Sequence, residues 1–294
     1  MKKIIYSLMA ALFLLTGASC KKQPEQLLLA GSGWNKIVII DKESKQIQWE
    51  YPLEKGWECN SVAADRKGNI LFSYRRGAKL IDREKNEIWD WKAEEGAEIQ
   101  TAKVLPNGNI MLAQCGHPAK IILLNGDGTL ISKTEFETTL ERPHSQFRQV
   151  NINKQGNYMV PLMGKSEVWE VSPAGQVVKS VSVPGNLFCV TPLSNGNWLV
   201  GCGDSHRYVE LNFQTGQIIS EVSGNDLEGV TLFFVAELLS TPKGGLYICN
   251  WQGHDKSAVD SNSPQLVELD ASGKVIWALN DNKSFGMISA LSPI

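Results

Sequence analysis

The sequence predicts an all-β chain folded as a six-bladed β-propeller, with four antiparallel strands to each blade. Three observations carry this reading. A ten-residue phrase recurs five times: AADRKGNILF (63–72), KVLPNGNIML (103–112), NINKQGNYMV (151–160), TPLSNGNWLV (191–200) and LLSTPKGGLY (238–247). Its turn glycines, Gly68, Gly108, Gly156, Gly196 and Gly244, stand 40, 48, 40 and 48 residues apart, the period of a four-stranded blade. The two ends of the chain hold complementary pieces of one further blade.

Residues 1–19 read as a lipoprotein signal peptide outside the fold. Lys2 and Lys3 precede the apolar run IIYSLMAALFLL, which is shorter than the ~20 residues of a spanning helix. Small residues then lead to Cys20, and the arrangement resembles a bacterial lipobox with Cys20 as the lipidated first residue. Gly17 stands where such a motif more often has Leu. Lys21 follows in place of the Asp that marks inner-membrane retention, so the resemblance implies an outer-membrane anchor in a bacterial cell envelope. Residues 20–26 form the lipidated Cys and a polar tether, and 27–294 form the propeller.

Within each blade four short apolar runs follow in series, bounded by Gly, Asn, Pro or Asp. In the third blade they are TAKVLP, IMLAQ, KIILLN and LISKTE. Lengths of four to seven residues with β-branched or aromatic content are strand signals. Asn107-Gly108 and Asn195-Gly196 are hairpin turns, because Gly accepts positive φ. At the amino end LLLAG (27–31), KIVIID (36–41) and IQWEY (47–51) are the second, third and fourth strands of a blade that lacks its first. At the carboxyl end ISALSPI (288–294) is a first strand with no successors. Pairing the two closes the ring and removes exposed sheet edges. A long β-solenoid is the alternative architecture, and it would not need a split blade.

Composition narrows function by exclusion. Charge is nearly balanced, 29 basic against 31 acidic residues, with no basic stripe suited to a phosphate backbone, so nucleic acid is not an expected partner. At 43% hydrophobic the chain can bury a core. Besides Cys20 there are Cys59, Cys115, Cys189, Cys202 and Cys249, an odd number without a CxxC spacing. They read as buried free thiols, with a single disulfide as the alternative.

The fourth strands IQWEY, EIWDW and VIWALN place Trp49, Trp89 and Trp277 at one register, preceded by DKESKQ, DREKNE and DASGKV. These phrases resemble the tryptophan-docking repeat of the quinoprotein-like (PQQ-like) β-propeller family, in particular bacterial lipoprotein members. The resemblance implies blade-to-blade packing for the three tryptophans. Quinone-binding members usually have eight blades, vicinal cysteines and a calcium site. None of these is legible here, so PQQ is not expected and no cofactor is predicted.

Strands alternate in direction, so turns between first and second and between third and fourth strands share one face. These turns are short and uniform. The second-to-third and fourth-to-first connections share the other face, and their lengths vary, as expected where a rigid scaffold carries function. All four histidines, His117, His144, His206 and His254, fall on this loop face together with Trp34, Trp57 and Trp251. Arg142 and Arg148 flank His144. Seven residues before each turn Gly stand Ser61, Thr101, Gln149, Cys189 and Glu237, with Ser289 matching in the split blade. This polar or small column begins the innermost strands and is expected to ring the channel mouth, with Glu237 its only charged member.

The reading favoured is a lipid-anchored extracytoplasmic binding protein. Its ligand, a carbohydrate or small polar molecule, or else a partner envelope protein, is held by Trp34, Trp57, His117, His144, Arg148, His206, Glu237, Trp251 and His254. The alternative is a propeller enzyme, lyase or sulfotransferase-like, working through His144, Arg148, His254 and Glu237. No G-x-S-x-G, H-E-x-x-H or paired-carboxylate signature supports it. The histidines have no metal-ligand spacing, so no metal site is assigned. A platform for other envelope proteins is the third reading.

Overall fold

The structure, a computed structural model, describes residues 25–254 and 263–294. The signal sequence, Cys20 and nearly all of the tether lie outside the described residues. So does part of the long connection between Trp251 and Ser263.

Six four-stranded antiparallel sheets make up the described chain. Blades two to six run Val62–Lys92, Glu98–Phe136, Asn151–Ser182, Cys189–Ser223 and Phe234–Leu279. Blade one is the split blade, made of Gln26–Ala30, Lys36–Asp41 and Ile47–Pro52 with the terminal strand Ala290–Pro293 innermost. Leu27 pairs with Pro293, Leu28 with Ser292, Leu29 with Leu291 and Ala30 with Ala290. The backbone passes closely at this seam. A Cβ on Gly31 would lie 1.6 Å from the carbonyl oxygen of Met287.

The repeated phrase folds as a type I turn ending in a left-handed glycine. Gly108 N–H donates to Leu105 O at 2.8 Å and Leu105 N–H to Asn109 O at 2.8 Å. Gly108 has φ +89°, and nothing lies within 4 Å of where its Cβ would be. Positive φ alone, not space, therefore demands glycine here. This differs from a two-residue Asn-Gly hairpin, because the glycine sits one place further along as a G1 bulge.

Burial follows strand order. The second strand of blade three, Ile110–Cys115, is buried at every position, while the outer strand Ile47–Pro52 alternates. A middle strand packs against neighbouring blades on both faces, which is why these runs are continuously apolar rather than alternating. One core cluster joins Leu28, Ile37 and Ile39 of blade one to Ile70 and Phe72 of blade two.

The three repeat tryptophans do join blades. Trp49 Nε1–H donates to Arg83 O at 2.8 Å, Trp89 to Gly126 O at 3.3 Å and Trp277 to Lys42 O at 3.0 Å. Each acceptor belongs to the third-to-fourth turn of the next blade. Just before each tryptophan register the outer ladder skips one residue in all six blades. The skipped residues are Gln48, Ile88, Ile131, Val178, Ile219 and Ile276. The five aliphatic ones are the most exposed large apolar side chains of their strands. A bulge in an edge strand breaks its pairing surface, which guards the circumference against edge-to-edge association.

The innermost polar column is buried, with Ser289 also lining the loop-face cavity. Its members stitch adjacent first strands together. Ser61 Oγ donates to Ala102 O and accepts from Ala102 N–H, both at 3.0 Å. Thr101 Oγ1 donates to Arg148 O and accepts from Val150 N–H. Ser289 Oγ donates to Asn60 Oδ1 at 2.9 Å, and Glu237 Oε2 of blade six accepts Leu291 N–H of blade one at 2.9 Å. Strand edges on the axis carry backbone groups that need partners, and these short polar side chains supply them. The five cysteines in the described residues are free and buried.

Candidate functional site

The site lies on the loop face, above the stitched column. It is built from the residues that lead into the first strands and from the second-to-third loops of blades one, four and six. A cavity of about 290 Å³ is lined by Glu58, Asn60, His144, Arg148, Asn186, Phe188, Phe234, Trp251 and His254, with Met163 beside them.

One wall is a charged relay. Pro143 fixes the backbone at the start of a single 3-10 turn, Pro143–Ser145, and Ser145 Oγ closes it on Arg142 O at 2.9 Å. This turn presents His144. Gln146 then clamps the loop to blade three, with its amide nitrogen on Gly116 O at 3.0 Å and its oxygen taking Gly116 N–H at 2.8 Å. His144 Nδ1 meets Glu98 Oε2 at 2.8 Å, and Arg148 Nη2 donates to His144 Nε2 at 3.0 Å. A guanidinium only donates, so Nε2 must offer its lone pair and Nδ1 must carry the hydrogen given to Glu98. Both ring nitrogens of His144 are thereby occupied. Glu98 also receives Arg75 at 2.6 Å and Gln100 at 2.8 Å. Burial pushes the Glu98 carboxyl up, but hydrogen bonds from His144 and Arg75 outweigh it and bring it to about 2.

The other wall is aromatic. Phe188 and Phe234 meet edge to face at 5.4 Å, and Phe234 and Trp251 do so at 5.2 Å. Trp251 is pinned by its Nε1–H on Ser32 O at 2.8 Å. His254 stands edge-on to Trp251 at 4.7 Å, with Nδ1 on Asp204 Oδ1 at 2.7 Å. Asn186 in turn donates to Asp204 Oδ2 at 3.0 Å. The Nε2 atom of His254 has no hydrogen-bond partner among the described residues.

The nine residues singled out from sequence divide cleanly. His144, Arg148, Trp251 and His254 converge on the cavity. His206 lies in an adjoining cavity of about 300 Å³ that shares Trp251 and His254, and its Nδ1 is bonded to Phe233 O. Glu237 is buried between the first strands of blades six and one. Trp34 is buried edge-on to Phe285, and Trp57 stacks on Tyr74 at 4.1 Å. His117 bonds Glu141 O at 2.9 Å at the outer rim. Sequence reasoning missed Glu58, Glu98, Asn186, Phe234 and Asp204. The first four share one signal, since each stands ten residues before a turn glycine. Asp204 sits two places before His206 in the same loop.

Among the described residues no group of three or more His, Cys, Asp or Glu is arranged to hold a metal ion. The arrangement can enclose a small guest between an aromatic wall and directed polar groups.

Solved structures place the fold among known propellers. A crystal structure of a protein of unknown function from Bacteroides caccae is 57% identical, covers 92% of this chain and 99% of that one, and superposes with a TM-score of 0.90. A catalytically inactive virginiamycin B lyase from Staphylococcus aureus, solved with quinupristin, is 11% identical with a TM-score of 0.55, over 77% of this chain and 71% of that one. A chain of a nidogen/laminin complex is 13% identical with a TM-score of 0.61, over 92% and 98%. The last two show the fold alone. No curated protein matches the chain. The model of the Mal s 1 allergenic protein-like family matches residues 31–274. With that match spanning blades two to five whole, three strands of blade six and two of the split blade, the chain belongs to the Mal s 1 allergenic protein-like family.

Proposed function

We propose that the chain is a lipid-anchored extracytoplasmic binding protein that holds a small ligand, a carbohydrate or other small polar molecule, in the loop-face cavity. The observation that carries this is convergence. Side chains from four blades and three loops meet around one concave space of about 290 Å³, with a tryptophan face and fixed hydrogen-bonding groups on opposite sides. Tryptophan stacks on the C–H face of a sugar, and His and Arg direct hydrogen bonds to hydroxyls. Cys20 and Lys21 support an outer-membrane anchor, so the ligand would come from the cell envelope or beyond it. No cofactor, PQQ included, enters this reading.

Isothermal titration with mono- and oligosaccharides tests it. Trp251→Ala is expected to weaken any binding at least about tenfold, near 1.4 kcal/mol. Affinities left unchanged by that substitution would place the ligand elsewhere.

The Asp204–His254 pair favours a second reading as an acid–base enzyme, because a carboxylate holds Nδ1 and leaves Nε2 for proton transfer. His144 does not share that capacity, since Arg148 occupies its Nε2. Turnover lost in His254→Ala and kept in His206→Ala, on a panel of p-nitrophenyl esters and glycosides, would establish this reading.

A further inference from the structure

We propose that the loop-face cavity takes a small organic cation, a protonated or quaternary amine on a compact apolar body. The nitrogen would sit at Glu58 and the body against Trp251, Phe234 and Phe188. This deepens the binding reading and rests on it.

The first ground is the state of Glu58. It is half-buried at the cavity lip, and its carboxylate has one partner, Asn60 Nδ2–H on Oε1 at 2.7 Å. No Lys, Arg or His pairs with it among the described residues. A carboxylate partly withdrawn from water without a counter-charge is a standing site for a cation.

The second ground is the aromatic wall. Phe188 and Phe234 lie at 89°, and Phe234 and Trp251 at 73°. Rings set nearly perpendicular offer a guest both faces and edges. The faces carry the negative quadrupole that attracts ammonium groups, tryptophan most strongly.

The third ground is the balance of charge facing the guest. Among the described residues, Arg148 is the one cationic side chain of the lining that is always charged, and it is already engaged. Its Nη1 donates to His144 O at 2.8 Å and to Phe147 O at 3.1 Å, and its Nη2 to His144 Nε2. Glu98 behind it is matched by Arg75. Asp204 adds a second carboxylate at the far rim, bonded to His254 and Asn186. An anionic guest would meet Glu58 with no free guanidinium or ammonium among the described lining residues to compensate.

The test is calorimetric titration of the full mature protein with four probes of similar size: benzyltrimethylammonium, benzylammonium, benzyl alcohol and phenylacetate. Both ammonium probes are expected to bind at least about tenfold more tightly than benzyl alcohol, with phenylacetate weakest. Glu58→Gln should remove that preference, bringing the ammonium probes to within about twofold of benzyl alcohol. In wild type, raising NaCl from about 50 to about 500 mM should weaken the ammonium probes and not the alcohol, which keeps the test available if the variant fails to fold. Equal affinities for ammonium and alcohol, or a preference untouched by Glu58→Gln, would overturn the proposal. If the alcohol or a saccharide binds in a Trp251-dependent way without an ammonium preference, the cation inference fails and the binding reading stands. If none of the four probes binds, the inference fails, and the saccharide titrations decide the binding reading on their own.

Discussion

Glu237 and Glu98 are two buried carboxylates pushed in opposite directions. Burial raises Glu237 to about 7 from an ordinary 4.5, against the partial pull of Lys103 and the Leu291 N–H. A carboxyl raised on folding is held protonated by the native state over a range where the unfolded chain has ionised. Its contribution is full below about 4.5 and is lost as pH rises through about 7. Urea unfolding of wild type and Glu237→Gln at pH 5 and pH 8 should therefore differ by about 3 kcal/mol more at one pH than at the other, with the variant relatively better at pH 8. Glu98 has the reverse sign. Its stabilisation is present above the usual carboxylate range and is lost as pH falls through about 2. Glu98→Gln should cost about 2 kcal/mol at pH 7 and little near pH 2, read by the same unfolding curves. Neither carboxylate's role could be read from sequence. Glu237 looked like a channel residue because its register is polar in most blades, yet that register satisfies strand edges. Glu98 and Glu58 share their position with Gln146, Asn186 and Phe234, so no residue type marks the column and only the register unites it. Trp34 and Trp57 looked exposed because their loops are polar, while Phe285 and Tyr74, distant or unremarked in sequence, cover them.

At the scale of the strand, the outer edge sets a packing residue beside a bulge residue, Trp89 next to Ile88. Trp89 reaches Gly126 O of the next blade and lies against Gly128, whose Cβ would stand 2.8 Å from the indole. Ile88 is skipped by the ladder and exposed. Trp89→Ala should cost about 2 kcal/mol or more through lost packing and an orphaned carbonyl, whereas Ile88→Thr should change stability by less than about 0.5 kcal/mol. Thermal unfolding of the two variants checks the contrast. The repeat made these elements legible. KIVIID was placed at 36–41, where the strand runs, and IQWEY at 47–51 falls one residue short of the strand end. The turn type was less legible, because Asn-Gly is compatible with both a two-residue hairpin and a type I turn with a bulge, and backbone twist decides between them.

The whole molecule depends on the seam between its ends. Register alone paired ISALSPI with LLLAG, and the pairing found is Leu27–Ala30 with Ala290–Pro293. Gly31 lets the tail pass, since any Cβ there would overlap Met287 O. Gly31→Ala should destabilise the whole ring by about 3 kcal/mol or more, seen as a single lowered unfolding transition. Closure also explains why residues spread from Glu58 to His254 meet in one cavity, since six wedges on one axis bring their loops to a common mouth. The most direct measurement of the central claim is a crystal structure of the protein soaked with benzyltrimethylammonium. The account predicts the probe in the loop-face cavity, its nitrogen at Glu58 and its ring against Trp251. The probe bound on the short-turn face instead, or an empty cavity at a saturating concentration, would contradict it.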